Sequence, residues 1–251
     1  MEAMILAAGE GTRLRPLTER VPKALVEVGG RSLLGRVIER LVQAGAGRII
    51  VNTHHHEEQI RAYLRDHAPG GVEIALSPEP GGPYDTGGGL FAAAHLFREK
   101  GPFLLHNVDV LSTISLEELF SEHERARAVV GEGLVASLAV NARDARRGLL
   151  FDERGLMGWD NRGNHRDLEE THRVREPVGS LRRWAFTGIH VVEPRIFDLV
   201  QRSGTFSVIT LYLELAAEGH IISPVDVSDY DWIDVGTPER LEKAKEAFGG
   251  R

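Results

Sequence analysis

Short, continuous apolar runs alternate with amphipathic stretches through the first hundred or so residues, and few folds accommodate that alternation. Met4–Ala8, Arg48–Asn52, Val72–Ser77 and Phe103–Asn107 are runs of five or six residues. Between them Leu33–Ala44, Glu57–Asp66 and Leu90–Phe97 read as helices; in the first, Leu33, Leu34, Val37, Ile38, Leu41 and Val42 recur at helical spacing. Strands that are apolar along their whole length, rather than at every second residue, belong where helices cover both faces of a sheet. The pattern predicts an α/β fold with a mostly parallel, Rossmann-like sheet flanked by helices. Ligands of such sheets lie outside the carboxyl ends of the strands, so chemistry is expected just after Ala8, Asn52, Ser77 and Asn107.

From Arg143 to Arg183 the texture changes to short apolar pieces among Gly, Asn and charge. Ten arginines face eight acids there. That near-balance reads as a solvated β-rich insertion or a subunit contact rather than an anion patch. Regular elements resume with Trp184–Val192 and Ile221–Val227 as strands, and Ile196–Gln201, Val208–Glu218 and Glu239–Phe248 as helices. With no Pro/Ser/Gly-rich linker, residues 1–251 are expected to form a single domain of two lobes, 1–140 and a smaller β-rich 141–251.

Composition excludes several function classes. Thirty Lys and Arg against 37 Asp and Glu leave a net charge of −7, without a basic cluster, which gives nucleic acid little footing. The chain has no cysteine, hence no disulfide framework and no thiolate zinc site. No run reaches eighteen apolar residues and the apolar start lacks a basic flank, so neither a membrane span nor a signal segment is expected. A cytoplasmic monomer or small homo-oligomer is the expectation.

The loop after the first strand, LAAGEGTRLRPLTERVPKAL from Leu6 to Leu25, carries the strongest chemical signal. Gly9 and Gly11 let backbone amides approach a phosphate chain. Arg13 can fork onto phosphate oxygens, and Lys23 can add a point charge. No Gly-Lys-Ser/Thr follows, so this is not a P-loop. Leu14 stands where a dinucleotide fingerprint needs its third glycine.

The string G-x-G-T-R-x-x-P-x-T-x-x-x-P-K, complete between Gly9 and Lys23, resembles the signature of the NDP-sugar pyrophosphorylase (sugar-1-phosphate nucleotidyltransferase) family. Glu79–Leu90, EPGGPYDTGGGL, resembles the family's base-recognition segment, and its DTGGG core is most similar to the N-acetylmuramate-1-phosphate uridylyltransferases and related hexose- and heptose-1-phosphate enzymes. His106–Asp109 and Asp231–Thr237 resemble the two metal-carboxylate segments, and Phe186–Ile189 a sugar-side strand. The resemblance implies transfer of a nucleotidyl group from an NTP, UTP before GTP, to a sugar 1-phosphate, with Mg²⁺. It implies a nucleotide-binding first lobe and a sugar-binding second lobe. It assigns Ala7, Ala8, Gly9, Gly11, Thr12 and Arg13 to the triphosphate, and Lys23 to the α-phosphate and the incoming phosphate. Glu79, Thr86 and Gly87 fall on the base side, Asn107, Thr187 and Gly188 on the sugar side, and Asp109 and Asp234 on the metal. Arg13, Lys23 and Asp109 would be the catalytic set. The chain departs from the family in having Val108 where many members have Gly, and in lacking a Glu-Lys pair between Leu149 and Trp184; Asp160 and Asn161 are the stand-ins.

These residue types suit the reaction. A phosphate monoester has a second pKa near ~6, so at neutral pH it needs no general base to become a nucleophile. What must be supplied is charge control between two polyanions, which two carboxylates holding Mg²⁺, an arginine and a lysine provide. A cytidylyltransferase acting on a phosphorylated alcohol such as phosphocholine would use a similar loop but needs an aromatic cage. A non-catalytic nucleotide-sugar-binding member would have no use for the charge-handling residues. His54–His56 are expected to be a polar strand-to-helix loop rather than a metal site, and Trp232 is the tryptophan to watch, two residues from Asp234.

Overall fold

The computed structural model describes residues 1–161 and 171–250. Its strands are β1 (Glu2–Leu6), β2 (Glu27–Val28), β3 (Arg31–Ser32), β4 (Arg48–Thr53), β5 (Glu73–Pro78), β6 (Phe103–Asn107), β7 (Val110–Ser112), β8 (Leu134–Asn141), β9 (Arg147–Asp152), β10 (Gly155–Asn161), β11 (Thr171–Arg173), β12 (Arg182–Val192), β13 (Ile221–Asp226) and β14 (Trp232–Asp234). The α-helices are α1 (Leu33–Gln43), α2 (Glu57–His67), α3 (Asp85–Ala92), α4 (Leu116–Val130), α5 (Ile196–Leu199), α6 (Val208–Ala217) and α7 (Pro238–Phe248).

One ten-stranded sheet runs in the order β11-β10-β9-β12-β6-β1-β4-β5, with β8 pairing to both β12 and β13. Its centre, β6-β1-β4-β5, is parallel, as the βα repeat predicts. β12 enters antiparallel to β6 and β8, and the β9-β10-β11 hairpins extend the sheet antiparallel from its first residues. The 143–183 segment is thus β-rich; its residues 162–170 lie outside the described residues.

Successive residues of β1 face opposite ways and build two different cores. Met4 and Leu6 pack with Ile50, Phe103 and Leu105 under α6. Ala3 and Ile5 pack with Ile49, Val51 and Leu104 under α1, α2 and α4. A strand covered on both faces has no polar side to alternate with, which is why β1 and β4 are buried along their whole length. Helix starts are fixed by side-chain caps: Ser32 accepts the Gly35 N–H at 3.0 Å, Ser115 that of Glu118 at 3.1 Å, and Thr237, before Pro238 in the first turn, that of Arg240 at 3.4 Å.

Three expectations need correction. Between Asn107 and Arg143, where no element was expected, the chain forms β7, α4 and β8. The helix placed at Leu90–Phe97 starts earlier, at Asp85, so that Gly87, Gly88 and Gly89 lie inside it. Helix propensity disfavours three glycines, by roughly 1 kcal/mol each, but packing demands them. A Cβ on Gly87 would stand 2.5 Å from the Phe206 ring, and one on Gly88 would stand 2.1 Å from the Gly204 carbonyl oxygen. Finally, the helix expected to reach Gln201 stops at Leu199.

Candidate active site

The first strand ends in a loop that folds back on itself. Gly11 has φ of +64°, and a Cβ there would approach Thr18 Cγ2 to 2.9 Å and Lys23 Cβ to 3.0 Å. The Thr18 hydroxyl donates to the Gly11 carbonyl at 2.8 Å, tying the loop down. Pro22 and a short 3-10 turn, Lys23–Leu25, then aim Lys23 back at the end of β6, where its ammonium pairs with Asp109. Glycine is needed at position 11 because the loop and the lysine stem share that space.

Asn52 at the end of β4 joins the loop to the base-side segment. Its Oδ1 accepts the Ala7 N–H at 2.6 Å and its Nδ2 donates to Glu79 Oε1 at 2.7 Å. The other Glu79 oxygen accepts the Tyr84 N–H at 2.6 Å. Glu79 is therefore a buried tie whose two oxygens each already accept one hydrogen bond. The Ala7 N–H is thereby engaged by Asn52. Thr86 accepts the Val208 N–H at 3.0 Å, locking α3 to α6. The Gly87 N–H donates to Phe206 O at 2.9 Å, and Gly87 is not among the residues that wall the first cavity.

Asp109 and Asp234 are brought together by a second, two-stranded pairing. β14 runs antiparallel to β7 with Asp234 opposite Val110, and Val235 donates its N–H to the Asp109 carbonyl at 2.7 Å. Arg240, one turn into α7, pairs with Asp234. That ion pair is part-exposed, and such pairs contribute about 0–1 kcal/mol. What holds α7 in place is Leu241, Ala244 and Phe248 packed on Leu14, Val28 and Val235, since each buried large apolar side chain is worth about 1.5–3 kcal/mol.

Two cavities open at the carboxyl ends of the central strands. The first, about 180 Å³, is walled by Ala8, Gly9, Lys23, Asn52, Glu79 and Thr86, among others. The second, about 380 Å³, holds Arg13, Thr187, Gly188, Trp232 and Asp234, with Arg143, Arg147 and Arg240. Asn107 and Asp109 line both, so the cavities meet there. Val108, in place of the glycine of many relatives by motif, also walls the first. Thr187 and Gly188 reach the second cavity through a register shift of β12 between Phe186 and His190. Gly188 has φ of +87°, and a Cβ there would come within 2.7 Å of the Asn107 side chain. The Thr187 hydroxyl is used on Ala139 O at 2.8 Å.

Arg13 stands in the second cavity, beside the carboxylate rather than deep in the first. A Cβ on Gly236 would touch both Arg13 Nη2, at 3.0 Å, and Asp234 Oδ1, at 2.9 Å. Thr12 is exposed and walls neither cavity. Asp160 engages Arg183 Nε with both oxygens, at 2.6 and 2.8 Å, and so supports the sheet. The histidines are structural in their observed contacts: His54 meets Glu79 O at 3.0 Å and His56, at φ 55°, precedes α2 and meets Glu19 O at 3.2 Å.

Three arginines absent from the expected site enter it. Arg143 lies 3.7 Å over the Trp232 ring, whose indole N–H donates to Thr187 O at 2.7 Å. Partial burial, and then the like charge of Arg240, pull the Arg143 guanidinium below its usual range, with Asp234 opposing. Counting charges across the whole 143–183 segment hid Arg143 and Arg147, because the count carries no direction. Arg240 was hidden by its helix, whose apolar side alone has a pattern.

No described group of three or more His, Cys, Asp or Glu side chains could hold a metal. The pair Asp109 and Asp234 does fit Mg²⁺, which keeps several waters and is bound through one or two carboxylates plus substrate phosphates.

The profile of the family described as "Nucleotidyl transferase" matches residues 2–249. The chain belongs to that family. Over 249 residues it is 32% identical to the N-acetylmuramate alpha-1-phosphate uridylyltransferase of Neisseria meningitidis serogroup B, covering 99% of each chain. It is 31% identical to the protein of the same description from Caulobacter vibrioides, over 94% of this chain and 92% of that one. Its fold is that of HddC from Yersinia pseudotuberculosis, with a TM-score of 0.71 at 21% identity, covering 98% of this chain and 99% of that one. As a nucleotidyl transferase it is an enzyme, and no helix among the described residues is long and apolar enough to cross a membrane.

Proposed function

We propose that this nucleotidyl transferase converts UTP and N-acetylmuramic acid 1-phosphate, with Mg²⁺, to the UDP-sugar and pyrophosphate. The observation that carries the reading is the junction of two cavities at Asn107 and Asp109, with the Lys23 ammonium on Asp109. A nucleotide in the first cavity and a sugar phosphate in the second would present the α-phosphorus and its nucleophile to each other at that junction. The choice of UTP and of this acceptor is supported by the names of two relatives matched over nearly their whole length and by the DTGGG string.

Each residue has a task in an in-line displacement. The backbone of Ala8, Gly9 and Gly11 approaches the triphosphate. Lys23 shifts from Asp109 onto the α-phosphate and offsets charge on both reacting phosphates as they close. Arg13 neutralises oxygen charge from the open side, and Asn107, Thr187 and Gly188 shape the acceptor's end of the junction. Asp109 and Asp234 would hold Mg²⁺, which when bound would supply positive charge to the phosphates. The acceptor oxygen bonds to the α-phosphorus as the bond from that atom to the bridging oxygen of pyrophosphate breaks.

The phosphocholine alternative is disfavoured because the aromatic rings of the second cavity are Trp232 and Phe186, and Arg143 already covers the Trp232 face. A purely regulatory role is disfavoured by the intact set Arg13, Lys23, Asp109 and Asp234. The test is pyrophosphate release from purified protein with Mg²⁺, crossing UTP, GTP, CTP and dTTP with a panel of sugar 1-phosphates and phosphocholine, and Asp109→Asn as control. Release with UTP and the N-acetylmuramic acid ester, absent in the control, is the expected result. Release with another pair would reassign the substrates, and no release from nucleotide-bound protein would remove the transferase reading.

A further inference from the structure

The second cavity holds two arginines, Arg143 and Arg147, beyond the charged residues that are paired or given to the phosphates above. Arg13, Arg143, Arg147 and Arg240 face only two carboxylates, Asp109 and Asp234. Both carboxylates already have cations, Lys23 and Arg240. Among the described residues, neither Arg143 nor Arg147 has a carboxylate partner. Sugar hydroxyls are usually met by acceptors such as carboxylates and amide oxygens, yet the neutral polar side chains in this cavity are only Asn107 and Thr187, and the Thr187 hydroxyl is spent on Ala139 O.

The two arginines are also held ready. The loop that bears them is tied at three points: Ala142 N–H donates to Ser228 Oγ at 2.9 Å, Arg143 N–H to Asn141 Oδ1 at 2.9 Å, and Arg183 Nη2 to Ala145 O at 2.6 Å. Arg147 begins β9, paired across the ladder with Asn161. The Arg143 guanidinium carbon lies 3.7 Å from the centre of the Trp232 ring, which places the group over the wall of this cavity. Guanidinium groups without a carboxylate partner among the described residues, carried on a tied backbone beside a sugar-phosphate cavity, are a means of reading a second anion.

We infer that Arg143 and Arg147 form a subsite for a carboxylate carried by the acceptor sugar itself, separate from its 1-phosphate, and so determine specificity for acidic sugar 1-phosphates. This rests on the transferase reading above and names the feature of the acceptor that the enzyme selects. N-acetylmuramic acid has such a carboxylate, and N-acetylglucosamine is the same sugar without it. The reaction's phosphates are handled by other residues of the two cavities, Lys23 and Arg13.

The test uses the full chain with N-acetylmuramic acid 1-phosphate and N-acetylglucosamine 1-phosphate, by pyrophosphate release with UTP and Mg²⁺ and by calorimetric binding of each acceptor. Wild type should favour the carboxylated acceptor about tenfold or more in kcat/KM, mainly through KM. Arg147→Gln and Arg143→Gln should each collapse that ratio towards unity. Arg143→Lys, which keeps charge but loses the planar fork, should retain only part of it. Equal use of both acceptors by wild type, or a ratio that survives in both glutamine variants, overturns the carboxylate subsite while leaving the transferase reading intact. Absence of both binding and release with either acceptor overturns the two together.

Discussion

Val235 donates its backbone N–H to the carbonyl of Asp109 at 2.7 Å, and through that bond the short β7–β14 pair sets two carboxylates far apart in the sequence in one cavity. The Asp109 side chain is met from the other side by Lys23, delivered by the glycine loop. The proposed reaction centre is therefore where three chain segments converge, each positioned by backbone geometry.

Asp109→Asn should lower kcat by at least about 10²-fold, the scale lost with one electrostatic contact to a transition state. The side chain keeps its size, so circular dichroism should be unchanged. Lys23 loses its counter-charge in a largely buried place, and a fall of about 1–3 kcal/mol in stability is expected from urea titration. Retention of wild-type turnover at saturating Mg²⁺ would take Asp109 out of the centre.

Asn52→Asp removes the donor to Glu79 and sets two buried carboxylates side by side. Stability should drop by roughly 2–4 kcal/mol at neutral pH and partly recover as the medium is acidified and one carboxylate takes up a proton. The nucleotide KM should rise with it, because Glu79, which loses that donor, walls the first cavity. Thermal melts at pH 5 and 8, with nucleotide titrations, measure both.

Gly88→Ala should destabilise the protein by about 1–3 kcal/mol, because its Cβ would meet the Gly204 carbonyl oxygen at 2.1 Å. A surface alanine introduced at Gly70, where nothing lies within 4 Å, is the comparison. A melting temperature lowered only by the first variant fits the packing role of the DTGGG glycines.

His106 and His190 are fully buried, and burial pulls both down to about 3; the Arg40 charge adds to the effect at His106. In the unfolded chain they titrate near ~6.5. Between those values the unfolded state binds more protons, so stability is fully present above about pH 6.5 and is lost as pH falls through the window. The slope should approach two protons near pH 5, read from urea midpoints against pH, and His190→Gln should reduce it by about one.

Much of this was legible in the residues. Continuous apolar runs marked the central strands because burial on both faces leaves no other pattern, and the glycine loop carried its own chemistry in spacing. Propensity was a poor guide at Gly87 and Gly88, where contacts with Phe206 and Gly204, far along the chain, make glycine obligatory inside a helix. Asn52 gave no signal, since one asparagine at a strand end becomes a hub only when the loop and Glu79 arrive around it. Arg143, Arg147 and Arg240 belong to segments whose charges balance, and only the fold decides which of those charges face inward.

The most direct test of the account is ³¹P nuclear magnetic resonance of the purified protein mixed with Mg²⁺, UTP and N-acetylmuramic acid 1-phosphate. The expected outcome is equimolar appearance of pyrophosphate and of the paired resonances of a nucleoside diphosphate sugar, with loss of the monoester signal. Formation of inorganic phosphate or UMP while the sugar monoester persists would contradict transfer at the junction of the two cavities.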